Sequence, residues 1–443
     1  FIMADDLGYG DVGVYGQTMI KTPNIDQLAA DGMTFTQFYA GTSVCAPSRS
    51  VLMTGLHSGL TQIRGNKQYR YQNGQLPLPD SAKTVAEYLQ EAGYTTGMIG
   101  KWGLGDPNTT GDPAKQGWDH YFGYTDQVLA HNYYPEYLWR NGEKVMLDNE
   151  VQYLDTALWH DGLGSYSTGQ VQYSHDLFME ETLQFLDENR DNSFFLYLPF
   201  TIPHDNGEQL DTLRFEVPDQ GDYANLDWAR REKDYAAMIT RMDHGIGRMV
   251  DFLDQAGLSE NTLIFFTSDN GPMKDIYTTE FFNSNGPLRG SKRDLYEGGM
   301  REPFLVKWPG KIESGSRSDH LGGFWDILPT LLDLAGEPIP EHMDGISIKP
   351  TLLGQDQQST HQYLYWEFHE GTGSQAIRQG DWKAVKLNIK QDPNFPTELY
   401  NLATDLGEEM NIADQHPDKL QELEQLMKEA RIPSPEFPLA IDN

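Results

Sequence analysis

Short apolar runs that end abruptly in charged or amide residues punctuate the first two thirds of the chain. Phe1-Ile2-Met3 reads as the end of a buried strand and is followed at once by Asp5-Asp6. Tyr94–Gly100 has the same character and delivers Lys101. Phe194–Leu198 leads into a loop that carries His204, and Leu263-Ile264-Phe265-Phe266 ends in Ser268-Asp269-Asn270-Gly271. Phe304-Leu305-Val306 predicts one more strand. Continuous short apolar runs of this kind mark strands buried on both faces, as in parallel sheets.

Helix patterns alternate with these strands. Thr22-Pro23 is a cap followed by proline at the first helical position, and Gly32 closes that helix. Asp80-Ser81 opens a second helix through Val85, Tyr88 and Leu89, with Gly93 as its stop. Ser174–Asn189, Arg230–Ala256 and Trp325–Ala335 continue the series. From Trp102 to about Tyr173 the periodicity breaks, and the segment reads as a long loop rich in Gly, Asn and aromatic residues. Loops of that length are usually functional. Beyond about Leu353 the character changes: Gln362–Phe368 and Ala376–Leu387 predict antiparallel strands and Pro417–Ala430 an amphipathic helix. The fold class is therefore α/β, a large mostly parallel sheet sandwiched by helices over residues 1–354. A smaller C-terminal α+β subdomain with an antiparallel sheet and a helix follows over 355–443. In open α/β sheets ligands gather outside the C-terminal strand ends, which is where Asp5-Asp6, Lys101, His204 and Asp269-Asn270 fall.

Charge narrows the function. Sixty-six acidic against 33 basic residues give a net charge of −33, which argues against nucleic acid as a partner. An anionic substrate would need a locally basic pocket. No apolar run approaches the ~18 residues of a membrane span. The chain opens inside a strand, so the lack of a signal peptide says nothing about export.

The chain holds a single cysteine, Cys45, in Ser43-Val44-Cys45-Ala46-Pro47-Ser48-Arg49-Ser50-Val51-Leu52-Met53-Thr54-Gly55. It can form no intrachain disulfide. A lone cysteine is most often a small buried hydrophobe, but this one has telling neighbours. Pro47 suits the first turn of a helix, so Cys45 is expected just before a helix N-terminus, where orphan N–H groups favour an anion. Arg49 follows on the first turn as a fork for a tetrahedral oxyanion. Three carboxylates and one amide oxygen, from Asp5, Asp6, Asp269 and Asn270, suit a hard cation, Ca²⁺ or Mg²⁺. Arg49, Lys101 and Lys292 are the cations that would offset charge on a bound anion.

Cys45-Ala46-Pro47-Ser48-Arg49 with Leu52-Met53-Thr54-Gly55 resembles the signature of the formylglycine-dependent (type I) sulfatases of the alkaline phosphatase superfamily, and the chain is similar to bacterial polysaccharide sulfatases. The resemblance implies that Cys45 is oxidised to formylglycine by a generating or maturase enzyme. It also implies that the aldehyde hydrate attacks the sulfur and that Asp5, Asp6, Cys45, Asp269 and Asn270 hold the metal. Gly100-Lys101-Trp102-Gly103-Leu104-Gly105 matches a family motif with one departure, glycine at 103 where the family has histidine. His131 in the long loop, or a water, is a candidate replacement, and the glycine is expected to widen the pocket. His204, in Ile202-Pro203-His204, matches the histidine that assists the leaving group, and Lys292, ahead of Glu297-Gly298-Gly299, matches the sulfate-binding lysine. His131 and Arg289 are candidate substrate contacts. Tyr133, Tyr134, Tyr137 and Trp139 are candidate stacking surfaces for sugar. The reading that follows is hydrolysis of a sulfate ester on a sulfated carbohydrate, a galactose-containing glycan in particular, by a periplasmic or secreted enzyme. A phosphodiesterase or phosphonate monoester hydrolase of the same superfamily, or a non-catalytic protein that binds sulfated glycans, are the alternatives.

Overall fold

The computed structural model describes residues 1–69, 74–154, 164–274 and 278–442. Its centre is a ten-stranded sheet. In chain order the strands are β1 (Ile2–Ala4), β2 (Met33–Phe35), β3 (Thr95–Lys101), β4 (His120–Tyr124), β5 (Tyr137–Arg140) and β6 (Glu143–Met146). They continue with β7 (Phe194–Pro199), β8 (Ile264–Ser268), β9 (Phe304–Lys307) and β10 (Ser316–Ser318). The spatial order is β10-β2-β9-β8-β1-β7-β3-β4-β5-β6. β8, β1, β7, β3 and β4 form an uninterrupted parallel block. The antiparallel pairs lie outside it: β9 against β8 and β2, and β5 against β4 and β6. The chain's first strand thus lies mid-sheet between β7 and β8, which come roughly two hundred residues or more later.

Helices cover both faces. α1 (Pro23–Ala30), α4 (Ser174–Glu188) and α5 (Arg230–Gln255) pack on one side. On the other lie α2 (Cys45–Thr54), α3 (Val85–Glu91) and α6 (Ile327–Ala335). α3 starts later than its sequence suggests, because Thr84 accepts the Glu87 N–H while Glu87 reaches back to the Thr84 N–H. This capping box outcompetes the Asp80-Ser81 signal.

The segment from Trp102 to Tyr173 is not the long loop its sequence suggests. It supplies β4, β5 and β6 and, beyond them, Glu150–Tyr153 paired with Ser165–Gly169. β4 is buried along nearly its whole length, so it shows no period-two alternation. The strands are short and separated by Gly and Asn turns, which masks them. The aromatic residues there serve as core: Tyr133 is fully buried, Tyr134 and Tyr137 nearly so. The Tyr133 hydroxyl donates to the carbonyls of Thr201 and His204. Tyr133 thereby holds the His204 loop, and none of these three rings is open to stack on a sugar, whereas Trp139 is half-buried.

The C-terminal unit is a four-stranded antiparallel sheet, β11 (Leu364–Phe368), β12 (Ser374–Gln379), β13 (Trp382–Lys386) and β14 (Thr397–Asn401), covered by α7 (Pro417–Glu429). The run Ala376–Leu387 is two strands, broken by Gly380 with φ +59°, and not one. β11 is bolted to the segment that carries Cys45. The Trp366 indole donates to the Ala40 carbonyl, the Thr42 hydroxyl to the Glu367 carbonyl, and the Glu367 N–H to the Ser58 hydroxyl.

Candidate active site

The C-terminal edge of the parallel block brings the sequence candidates together. Asp5-Asp6 follow β1, Lys101 ends β3, His204 lies after β7, Asp269-Asn270 follow β8, and Cys45 is the first residue of α2. Asp6 has φ +63°, a left-handed conformation uncommon for a residue with a side chain. Hydrogen bonds fix that turn: the Asp6 N–H reaches Asp269 Oδ1 at 3.3 Å and the Leu7 N–H reaches Ser268 Oγ at 2.9 Å. The turn from β1 is therefore built on the turn from β8.

Three acids face three cations. Lys101 Nζ lies 2.7 Å from Asp5 Oδ2 and Lys292 Nζ lies 2.7 Å from Asp6 Oδ2. The Arg49 guanidinium grips Asp269 Oδ2 through Nε at 3.1 Å and Nη2 at 2.7 Å, and its other arm donates to the Lys101 carbonyl. All six side chains are largely or wholly buried. Burial alone would neutralise Asp5, but Lys101, His204, Arg49 and Lys292 outweigh it and hold its carboxyl far below the usual range. Asp269 is pushed up, first by burial and then by the negative charge of Asp5. Asp5 and Asp269 are thus driven in opposite directions, and a further positive charge beside Asp269 would favour its ionised form.

That charge has a place. Asp5, Asp6, Cys45 and His204 offer ligand atoms that all lie within 4.8 Å of one another. Asn270 Nδ2 donates to Asp6 Oδ1 at 2.7 Å, while Asn270 Oδ1 is buried without a hydrogen-bond partner. An unpaired buried amide oxygen costs about 1–3 kcal/mol, and a hard cation would satisfy it. Asp5, Asp6, Asp269 and Asn270 offer oxygen donors, which fit Ca²⁺ or Mg²⁺ and not a thiophilic metal.

Cys45 Sγ is 3.4 Å from Asp5 Oδ1. Burial, then Asp5, pushes its thiol well above the ordinary range. Thiolate is the nucleophilic and metal-binding form, so Cys45 as a thiol suits neither task here. Its position suits an oxygen function. The orphan N–H groups expected beside it are fewer than the sequence suggests, because the Ala46 N–H is taken by Asn66 Oδ1 at 3.0 Å.

His204 Nδ1 donates to the Asp205 carbonyl at 2.7 Å, which leaves Nε2 to accept from Lys292 Nζ at 3.0 Å. Burial, then the Lys292 ammonium, holds the His204 imidazole well below its usual range. Lys292 keeps its proton: burial works against it, but Asp6 and other negative neighbours outweigh that. His131 stacks on His204 with ring centroids 4.8 Å apart and planes at 14°. Its Nδ1 lies 3.0 and 3.1 Å from the two oxygens of Glu208.

Two expectations fail. Arg289 stands away from the cluster. Its guanidinium donates to the Tyr400 hydroxyl at 3.0 Å and to the Glu408 carbonyl, and lies 3.9 Å over the Tyr296 ring. It is a strap to the C-terminal sheet, recruited by the aromatic pair Tyr296 and Tyr400. Gly103 does not widen the pocket. Its φ is +71°, and a Cβ there would lie 2.0 Å from Gln127 Nε2, so the Gln127 side chain fills that space. Gln127, Glu208 and Asn66 had no local signal in the sequence, since each acts on a partner distant along the chain.

Comparison with known proteins decides the family. Residues 1–337 match the sulfatase family, and residues 290–432 match the C-terminal region of N-sulphoglucosamine sulphohydrolase. The chain belongs to the sulfatase family. This sulfatase is 32% identical over 400 residues to the N-acetylgalactosamine-6-sulfatase of Rattus norvegicus, which covers 86% of the chain and 70% of that protein. It is 32% identical over 462 residues to arylsulfatase A of Homo sapiens, which covers 96% and 86%. Among solved structures, Ps i-CgsB in complex with k-i-k-neocarrahexaose superposes with a TM-score of 0.79 at 29% identity, over 96% of this chain and 91% of that one. The sulfatase is by family a sulfuric ester hydrolase. Among the described residues no helix is long and apolar enough to cross a membrane.

Proposed function

We propose that the chain hydrolyses a sulfate ester on a sulfated carbohydrate, with formylglycine made from Cys45 as nucleophile. In this reading Asp5, Asp6, Asp269 and Asn270 hold a Ca²⁺ ion, or Mg²⁺, with residue 45 completing the set. The observation that carries the reading is the buried, unpartnered Asn270 Oδ1 beside three crowded carboxylates and Cys45. When present, the metal and the aldehyde hydrate supply an acidified hydroxyl nucleophile and polarise the sulfate.

The chain's own side chains do the rest. Arg49, Lys101 and Lys292 converge on the cluster and offset negative charge on the sulfate as its S–O bond breaks. Lys292 holds a proton and His204 Nε2, 3.0 Å away, holds a lone pair. Together they form a short relay that can deliver a proton to the departing alcohol oxygen. His131, stacked on His204 and fixed by Glu208, is the substrate contact nearest that oxygen. Gln127 closes the position next to Lys101 where a histidine side chain at 103 would have projected.

The names of the relatives, which concern N-acetylgalactosamine sulfate and a neocarrahexaose, support a galactose-type sugar as the sulfated unit. Export to the periplasm or outside, and maturation by a formylglycine-generating or maturase enzyme, accompany this reading. So does a boundary between catalytic domain and C-terminal subdomain near residue 354. The test has two parts. Peptide mass spectrometry across Cys45, in protein made with a maturation system, is expected to show a loss of about 18 Da relative to cysteine. The same protein is expected to release sulfate from galactose 6-sulfate or N-acetylgalactosamine 6-sulfate and to leave aryl phosphodiesters largely uncut. Faster cleavage of the phosphodiester would reject the reading in favour of the phosphoryl-transfer alternative.

A further inference from the structure

We propose that Glu370, from the C-terminal unit, and Asn66 are positioning residues for the nucleophile at residue 45. Four hydrogen-bonded or ionic links close a ring around that residue. The Ala46 N–H donates to Asn66 Oδ1 at 3.0 Å, and the Asn66 N–H donates to Glu370 Oε1 at 3.2 Å. Glu370 Oε2 lies 3.5 Å from Arg293 Nε, and the Arg293 N–H donates to the Ser43 carbonyl at 2.8 Å. The two backbone groups that flank Val44-Cys45, one on each side, are thus tied to one carboxylate.

The ring has a rigid anchor. Glu370 follows β11, whose residues Trp366 and Glu367 bond to Ala40, Thr42 and Ser58 before and after α2. The Gly373 N–H closes the Glu370 turn at 3.0 Å, and Lys390 Nζ donates to the His369 carbonyl. Arg293 adjoins Lys292, so the same ring sets the distance between the nucleophile and the Lys292 ammonium that faces His204. Misplacement of a reacting group by about 1 Å can cost about 10²-fold in rate. A four-segment tether at the nucleophile is a device against that loss. The inference rests on the sulfatase reading for its effect on rate, and on geometry alone for its effect on the backbone.

The experiment compares Glu370→Ala, Glu370→Gln, Asn66→Ala and the double variant Glu370→Ala/Asn66→Ala with the wild type, each in the matured full chain. On 4-nitrophenyl sulfate, Glu370→Ala is expected to lower kcat about 10-fold or more with KM within about 3-fold. Glu370→Gln keeps an amide oxygen to accept the Asn66 N–H and is expected to recover most of that loss. The double variant is expected to lose less than the product of the two single losses, because both changes weaken the Ala46 N–H arm while Glu370 alone also reaches Ser43 through Arg293. Deuterium exchange, followed by mass spectrometry, is expected to be faster at Ser43–Ala46 in both single alanine variants, with Val51–Thr54 still protected. A Glu370→Ala enzyme with wild-type kcat, a loss carried in KM, or a fully additive double variant would overturn the inference. If Glu370→Ala does not fold, Asn66→Ala against wild type carries the same kinetic and exchange comparison. A wild type that cleaves no sulfate ester rejects the sulfatase reading, and unchanged exchange at Ser43–Ala46 rejects the clamp whatever the activity.

Discussion

Two buried charge sites flank the helix that starts at Cys45, and they are built on opposite principles. At one, Asp5, Asp6, Asp269 and Asn270 crowd against Arg49, Lys101 and Lys292. At the other, a single carboxylate, Glu367, is shared among more donors than it has oxygens. Glu367 Oε1 accepts from the Tyr365 hydroxyl at 2.8 Å and from Arg431, and Oε2 accepts from His369 at 2.7 Å and Arg64 at 3.5 Å. There each Glu367 oxygen accepts two hydrogen bonds, although His369 Nδ1 is buried without a partner. The first leaves an amide oxygen without a partner and pushes one of its acids up. A carboxylate whose oxygens are all taken holds the fold together, and a cluster of acids with an unpaired amide oxygen is set to bind.

The comparison is broken most severely at the first site. Asp269→Asn removes the negative charge and one of the two oxygens that serve the cluster and Arg49, and is expected to lower kcat by about 10³-fold or more while the protein stays folded. Sulfate release and the circular-dichroism melt, read side by side, check it. A large loss of melting temperature would mean that this site also carries the fold.

Glu367→Ala is the converse. It removes the carboxylate shared by His369, Arg64 and Arg431 in a buried setting, leaving Arg431 its pairing with Asp442, and is expected to cost about 3–5 kcal/mol of stability in urea unfolding. Calcium affinity, by calorimetry, should be unchanged in what remains folded. Equal damage to both would erase the distinction between the sites.

The same contrast appears in acid. Burial opposes ionisation of Glu367, but His369, Arg431 and Arg64 outweigh it and bring its carboxyl down to about 2 from an ordinary 4.5. A depressed carboxylate stabilises the fold fully above its unfolded value and loses that contribution as pH falls from about 4.5 toward about 2. The difference in unfolding free energy between wild type and Glu367→Gln should therefore shrink across that window, by on the order of 3 kcal/mol. A constant gap down to pH 2 would contradict the assignment.

The smallest effect is expected from the metal itself. Calcium at about a hundred times its dissociation constant should stabilise the chelator-treated protein by about 2.7 kcal/mol. The increment should be the same in Glu367→Gln and absent in Asp269→Asn, as read by thermal shift.

Much of the first site was legible in the sequence, because each of its parts sits at the end of a recognisable apolar run. Asp5-Asp6, Lys101, His204 and Asp269-Asn270 all follow strands, and a parallel block must bring such ends to one edge. What stayed hidden depends on contacts across the fold. Asn66, Gln127, Glu208 and Glu370 act on residues far along the chain, and no periodicity announces them. Arg289 looked like pocket chemistry from its basic neighbours, yet Tyr296 and Tyr400 captured it. β4 was missed because burial along its length erases alternation, and β5 and β6 because each is only four residues long and β6 is largely exposed.

The place of β1 in mid-sheet has a temporal consequence. A ribosome delivers Asp5, Asp6 and Cys45 more than two hundred residues before the neighbour strand β8 and its Asp269-Asn270 turn. At about 5–20 residues per second that interval is roughly 10–50 s. Throughout it, the nascent polypeptide cannot finish the sheet edge that later encloses residue 45. Residue 45 is therefore open to any reagent only until the sheet edge is completed.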